Sequence, residues 1–284
     1  MWYGATVRST IPRGRIRAVH YGPEIDWSEF VVVTAADIPG KNHIQMISAD
    51  QPCLATDVVN HCDEAILLLA HPDKRRLPEA VAAVRIDYKL LPAVLSMEES
   101  EAQQEIIWGP NTKDGNLFKQ FHLEKGNVDE VWTTAAHIVE GEYRTGAQEH
   151  LYIENNGVIA EYSEADGLTV RGSLQCPFYV HKSLMAVFDL PPEKVRVIQT
   201  ETGGAFGGKE DYPSVIASHA ALLARKAGRP VKIVYDRIED LAVTAQLAGL
   251  TGRTDTRTVT RTGRCPDCEY LLTSPGHKIT CGSG

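Results

Sequence analysis

A glycine-rich stretch, Thr202–Asp211 (TGGAFGGKED), contains the residues whose types and spacing point most directly to chemistry. Four glycines fall within six residues there, and glycine lets a backbone take positive φ and come close to a bound group. A loop between a strand and a helix also presents free N–H groups that suit an anion. The alternative is a plain tight turn, but turns seldom need four glycines. The stretch therefore predicts a binding loop for an anionic group.

The same stretch partly matches a phosphate-binding P-loop. Gly203 and the Gly208-Lys209 pair have the required spacing, and a predicted strand precedes them. Asp236, at the end of the next predicted strand, resembles the acidic strand end that helps to hold magnesium. Position 210, however, is a glutamate where a P-loop needs a Ser or Thr hydroxyl on the metal. Its charge would also face the phosphates, so nucleotide binding is kept only as a remote alternative.

The cysteines offer one further candidate for a metal site. Only Cys265 and Cys268, of six cysteines, have metal-like spacing, and a tetrahedral zinc would need His277 and Cys281 to complete it. The stretch is otherwise irregular, so four unrelated polar residues are the preferred interpretation, and the role of these cysteines stays open. Scattered cysteines in a long chain indicate reduced thiols, and the spacing typical of iron–sulfur ligands is missing.

The elements around the glycine loop indicate an α/β protein. The predicted strand Val195–Ile198 leads into the loop, and the predicted helix Pro213–Ala227 follows it and stops at Gly228. Periodicity also predicts a helix over Tyr179–Leu190, stopped by two prolines. The remaining predicted strands after residue 120 are His137–Tyr143, Val158–Tyr162, Leu168–Gly172 and Val231–Tyr235. Asn127 with Glu130 resembles a capping box that starts a helix.

The N-terminal third also alternates strands with a helix. We predict strands at Glu29–Ile38, Ala65–Ala70 and Val84–Tyr88, and a helix over Leu77–Val84 with Pro78 in its first turn. Residues 98–120 are polar and contain glycine, which is typical of a linker between domains.

Composition and charge limit the class of function. The chain has 284 residues with 29 basic and 37 acidic side chains, a formal charge of −8, so a long-range basic field for nucleic acid is absent. No apolar run approaches the roughly 20 residues that span a bilayer, and no secretory signal is visible. We therefore expect a cytoplasmic protein that binds neither nucleic acid nor membrane.

Two motifs together resemble the large subunit of the xanthine dehydrogenase and aldehyde oxidase family of molybdenum hydroxylases. Gly203–Glu210 is similar to the family's glycine-rich loop, and Gly146–Glu154 (GAQEHLYIE) resembles its second signature. Tyr3–Pro12 and Gln51–Ala55 resemble its hammerhead domain. The resemblance implies an α/β (α+β) fold: a hammerhead domain at residues 1–107, then a truncated first molybdopterin-binding domain at residues 120–245.

The resemblance also implies the residues of the site. The cofactor-binding set would be Gln148, Gly204, Ala205, Phe206 and Gly207. Gln148 matches a glutamine whose amide lies near the metal, against an oxygen of the molybdenum centre. Without the neighbouring motif, Gln148 would be interpreted as a surface strand residue. Phe206 with Gly207 matches a backbone contact to the cofactor. Glu210 matches a substrate-facing glutamate of xanthine-type members, and its alternative is a solvated carboxylate favoured by a helix start.

A neighbouring group of polar residues also suggests a metal site. Gln148, Glu149 and His150, with Glu154, are the side chains concerned. Strand alternation would place Glu149 on the opposite face from Gln148 and His150. We therefore predict that the histidine is structural, with its hydrogen bonds satisfied.

The activity implied is hydroxylation of an N-heterocycle or an aldehyde with oxygen from water, at a molybdenum–molybdopterin cofactor whose pterin form stays open. Partner subunits would carry the 2Fe–2S clusters and FAD. The family's glutamate base is expected beyond this chain, so the catalytic residues are unknown and the fragment alone is predicted to be inactive. A non-catalytic remnant or scaffold that binds a partner is the alternative.

The likeness ends near Ala245. Residues 246–284, with their alternating Thr254–Thr262 stretch, form an atypical tail, and a frameshift or misassembled gene end is our preferred explanation. The start also looks clipped, because Met1 falls inside the first expected hammerhead strand.

Overall fold

The computed structural model describes residues 1–45, 49, 51–107, 115–116, 143–144, 148–244 and 251–252. The chain divides into two compact units. The first combines Met1–Ala93 with Glu149–Ala245, and the second combines Val94–Gln148 with Gln246–Gly284. Among the helices in these described ranges, none has the length and apolarity needed to cross a membrane.

Twelve strands and five helices are present in the described residues. The strands are β1 (Trp2–Arg8), β2 (Gly14–Tyr21), β3 (Val31–Val33), β4 (Val58–Val59), β5 (Ala65–His71), β6 (Val84–Leu90), β7 (Tyr143–Arg144), β8 (Gly157–Ser163), β9 (Gly167–Gly172), β10 (Val195–Gln199), β11 (Val231–Val234) and β12 (Thr251–Gly252). The helices are α1 (Leu77–Ala83), α2 (Met97–Glu101), α3 (Pro177–Phe188), α4 (Pro213–Ala227) and α5 (Arg237–Val243).

The first unit is built on a seven-stranded mixed sheet in the order β10-β9-β8-β11-β1-β5-β3. The pairs β10–β9 and β11–β1 are parallel, and the other neighbours are antiparallel. A smaller sheet has the order β4-β2-β6. Strands from before residue 94 and from after residue 148 therefore share one sheet. In the second unit, β12 pairs antiparallel with β7.

Both faces of the large sheet are covered. Leu68 and Ala70 of β5 enter the core formed with α3 and α4, whereas Leu67 and Leu69 enter a second core that contains α1. Every residue of β5 is buried, as expected for a strand with helices on both sides. Helix α4 runs from Pro213 to Ala227 and is buried over most of its length, and its C-cap Gly228 adopts the left-handed conformation.

Most of the predicted elements are confirmed, with ends within two residues. The single strand predicted at Glu29–Ile38 is wrong. Strand β3 covers only Val31–Val33, because Thr34 and Asp37 form a capping box that starts a short 3-10 turn. The predicted capping box at Asn127 and Glu130, and most of the predicted strand His137–Tyr143, lie outside the described residues.

The sheet topology creates one edge suited to a ligand. Strands β9, β10 and β11 run in the same direction, since β9 and β10 are parallel and each of β9 and β11 is antiparallel to β8. Their carboxyl ends therefore meet at one edge, where the connections 173–176, 200–212 and 235–236 begin. The carboxyl edge of such strands is where open α/β sheets usually bind ligands.

Candidate functional site

The glycine-rich loop leaves the carboxyl end of β10 and leads into α4. At its tip Phe206 has a φ of +51°, a left-handed conformation that non-glycine residues seldom adopt. Phe206 is 76% exposed, while the neighbouring Ala205 is buried. Backbone strain of this kind is often found at ligand sites, so the tip is a candidate contact surface.

The backbone conformation and the packing of the loop require glycine at two positions. Gly207 has a φ of +99°, which other residues rarely adopt. A Cβ atom at Gly208 would lie 2.4 Å from Cε1 of Tyr152, closer than any real contact allows. The loop therefore lies directly against Tyr152, and this close approach requires glycine at position 208.

An ion pair between the buried Lys209 and the half-exposed Glu154 fixes the start of the loop. The Oε2 atom of Glu154 accepts hydrogen bonds from the Gly203 amide at 2.7 Å, Lys209 Nζ at 2.9 Å and Ser173 Oγ at 2.6 Å. Partial burial by itself would raise the pKa of Glu154, but the bonds from Ser173, Gly203 and Lys209 outweigh it and lower this pKa to about 2. Glu154 is therefore ionised at neutral pH and joins three segments of the chain.

Lys209 itself points inward. Its side chain is completely buried, and its ammonium group lies 4.8 Å from the centroid of the Tyr152 ring. A P-loop lysine must instead reach the phosphates at the loop surface. The inward position therefore removes the main support for nucleotide binding.

Gln175 holds the other end of the loop. Its Oε1 atom accepts hydrogen bonds from the amides of Gly207 at 3.1 Å and Lys209 at 3.2 Å, and its own backbone amide donates to the Lys209 carbonyl at 2.8 Å. Within the described part of the chain, no hydrogen bond uses the amides of Gly204, Ala205 or Phe206. Three successive donors are therefore left at the tip.

The predicted site residues fall into two groups. The first unit carries Gly204, Ala205, Phe206, Gly207 and Glu210 on the one loop, whereas Gln148 belongs to the second unit and is exposed.

Glu210 is exposed at the end of the loop, and its amide donates to the Gly207 carbonyl. Burial is the main cause of a raised pKa at the nearby Cys176 thiol, and the negative charges of Glu210 and Asp211 raise this pKa further. The pKa of Asp211 is also raised, mainly by burial and in addition by the negative charge of Glu210. This end of the loop is therefore electronegative.

The segment that carries Glu149 and His150 differs from its prediction. Residues 149–156 form no strand, and Leu151 has a φ of +50°, which interrupts any extended backbone. His150 packs against Gly207 and Gly208, but its Nδ1 atom is buried and has no hydrogen-bond partner in the described structure. The prediction of a satisfied histidine was therefore wrong.

No cluster of three His, Cys, Asp or Glu side chains suited to a metal ion occurs among the described residues. Cys265, Cys268, His277 and Cys281 lie outside them.

Sequence reasoning missed the residues that hold the loop in place. Tyr152 was recognised only as part of a motif, Glu154 only as part of that motif and as a candidate metal ligand, and Ser173 and Gln175 were not recognised at all. Gln175 is 32 residues from Gly207 along the chain, so no local pattern connects them. The one available signal was Lys209. Since the loop is not a P-loop, this lysine has no phosphate to bind, and a buried lysine needs a carboxylate partner.

Two family models match the chain. The aldehyde oxidase and xanthine dehydrogenase a/b hammerhead domain matches residues 1–92, and the molybdopterin cofactor-binding domain matches residues 110–264. The second match extends past Ala245, where the resemblance seen in the sequence ends.

Two proteins with similar sequences are named as dehydrogenase subunits. The large molybdopterin subunit of nicotinate dehydrogenase from Eubacterium barkeri is 35% identical over 249 residues, which cover 87% of this chain and 57% of the relative. A probable xanthine dehydrogenase subunit from Bacillus subtilis is 32% identical over 85% of this chain and 32% of its own length. The chain thus spans about half, or less, of the length of these relatives.

Solved structures share the fold. A Cu,Mo-containing CO dehydrogenase matches with a TM-score of 0.74 and 22% identity, over 90% of this chain and 35% of its own. The aldehyde oxidoreductase of Desulfovibrio gigas matches with a TM-score of 0.74 and 20% identity, over 86% of this chain and 28% of its own.

Proposed function

Because this chain belongs to the aldehyde oxidase and xanthine dehydrogenase family of molybdopterin-binding proteins, we propose that it forms part of a molybdenum hydroxylase. The observation that carries this proposal is the exposed loop tip, where the amides of Gly204, Ala205 and Phe206 have no partner in the described structure. The reaction would convert a substrate C–H group and water into C–OH, two protons and two electrons. When bound, the molybdenum–pterin group supplies the two-electron redox chemistry.

The residues present fit an anionic cofactor that carries oxygen atoms. Backbone amides can bind such oxygens without any charged side chain, and Glu154 and Gln175 hold the loop on both sides of the three amides. In this proposal Gln148 contributes a side-chain amide, which can donate two hydrogen bonds without adding charge.

Glu210 is proposed to bind the substrate. An exposed carboxylate at the end of the loop can accept a hydrogen bond from a ring N–H group, which favours an N-heterocycle over an aldehyde. The relative that is 35% identical is named for nicotinate, which is itself an N-heterocycle.

The remaining parts of the enzyme are proposed to lie elsewhere. The two electrons would leave through 2Fe–2S and FAD groups on partner subunits, and the names of two relatives as subunits support such an assembly. The base that activates water would come from a segment outside this chain, so the chain alone would be inactive. A remnant that only binds a partner is the second candidate.

The test uses the assembled enzyme, in which Glu210→Ala is compared with Glu201→Ala, an exposed glutamate that precedes the loop tip. We expect Glu210→Ala to lower kcat/KM for an N-heterocycle about tenfold or more, the effect of one lost hydrogen bond to a charged group. Its effect on an aldehyde should be smaller, and Glu201→Ala should change neither. An assembled wild-type enzyme that holds no molybdenum and no pterin would contradict the proposed function and favour the remnant.

A further inference from the structure

We propose that Gln175 is a positioning residue, which holds the glycine loop so that the amides of Gly204, Ala205 and Phe206 stay free for the cofactor. The inference rests on the proposed function and deepens it. Gln175 contributes no group to the chemistry. It acts through the backbone of the loop, and the geometry on both sides of the residue supports this role.

Gln175 is itself held firmly. Leu174, directly before it, is fully buried in the main core, and Cys176, directly after it, is the N-cap residue of α3. Its backbone amide donates to the Lys209 carbonyl at 2.8 Å. The side chain therefore extends from a short connection between β9 and α3.

One side-chain oxygen then satisfies two backbone donors of the loop. The carbonyl oxygen of an amide has two lone pairs, and in Gln175 it accepts from Gly207 at 3.1 Å and from Lys209 at 3.2 Å. With these amides directed inward, the chain reverses through Gly207 at a φ of +99° and Phe206 at +51°. The loop thus keeps a strained backbone at its tip because hydrogen bonds beside the tip offset the strain.

Glu154 does not duplicate this role. It accepts from Gly203, before the tip, and from the Lys209 side chain. Among the described residues, Gln175 alone accepts from the amides of Gly207 and Lys209. Removal of the Gln175 acceptor would therefore release the second half of the loop while the Glu154 ion pair stays in place.

The first measurement is amide hydrogen exchange in the full chain. Gln175→Met keeps the length of the side chain and removes the acceptor, and we expect Gly207 and Lys209 to exchange about tenfold faster or more. Gln175→Glu keeps an oxygen acceptor, so it should restore slow exchange. Gln199→Met, at the exposed end of β10, is the matched control and should leave the loop unchanged.

The second measurement is the molybdenum and pterin retained by the assembled enzyme. If the competent loop conformation becomes tenfold rarer, the apparent affinity for the cofactor falls about tenfold. A general structural role would instead lower the urea midpoint of the whole chain, which we expect Gln175→Met to leave near the wild-type value.

The outcomes separate the two proposals. Wild-type exchange in Gln175→Met, or faster exchange with full cofactor retention, would overturn the role of Gln175. If Gln175→Met fails to fold, Gln175→Asn, shorter by one methylene, takes its place and the same two results decide. A wild-type assembled enzyme without cofactor would instead contradict the proposed function.

Discussion

Neutralising Glu154 with Glu154→Gln should destabilise the first unit far more than neutralising a surface glutamate. The substitution leaves Lys209, whose side chain is fully buried, without its counter-ion. Breaking a fully buried ion pair by removing one partner costs about 3–5 kcal/mol. Because the Glu154 side chain is 43% exposed, solvent screens part of the interaction, and we expect a loss of about 2 kcal/mol in the free energy of unfolding.

Urea unfolding followed by circular dichroism measures this loss. With a slope of about 2 kcal/mol per molar urea, the midpoint should fall by about 1 M. Glu161→Gln is the matched control, since Glu161 pairs with Arg171 at 3.0 Å and both side chains are more than 40% exposed. That exposed pair should contribute less than about 1 kcal/mol. The double variant Glu154→Gln, Lys209→Met should recover most of the stability, because no unpaired cation remains.

The pH dependence has a definite sign. The pKa of Glu154 is lowered from 4.5 to about 2 in the folded protein, so its contribution is fully present above about pH 4.5 and is lost as the pH falls through about 2. The difference between the wild type and Glu154→Gln should therefore shrink over that window. Two results would contradict the role of the unpaired Lys209 cation: an effect of Glu154→Gln as small as that of Glu161→Gln at neutral pH, or no recovery of stability in the double variant.

Three further predictions concern the loop, the shared sheet and the activity. Gly208→Ala should destabilise the protein by about 1–3 kcal/mol, since its Cβ would lie 2.4 Å from the Tyr152 ring; an unchanged urea midpoint would contradict the close approach. Protease cleavage within 98–120 should leave the two flanking pieces associated on gel filtration, because β1 pairs with β11 in one sheet; separation without denaturant would contradict this pairing. Purified residues 1–284 should neither hydroxylate xanthine nor carry stoichiometric molybdenum, because the base is proposed to lie outside this chain and the lack of a general base costs roughly 10²–10⁴ in rate; metal analysis with a turnover assay checks this, and a positive result in both would contradict that proposal.

Local patterns in the sequence were sufficient for most of the secondary structure and for the location of the loop. The helix Pro213–Ala227 has the predicted ends, because proline at its start and glycine after its end act through the backbone of those residues alone. Four glycines in six residues marked the loop for the same reason. The family followed from the two motifs together, and both family models match. The residues proposed to bind cofactor and substrate remain predictions.

Tertiary structure decided what each residue of the loop does. Lys209 reads as a phosphate ligand in the sequence, yet it is buried against Glu154, which is 55 residues away in the chain. Gln175 gave no signal at all, because its partners come together only when β9 and β10 pair in parallel. Patterns in sequence report interactions over a few residues, whereas the orientation of a side chain depends on which neighbours the sheet places beside it. The sequence by itself therefore identified the loop, and only the folded sheet determined which of its amides stay free.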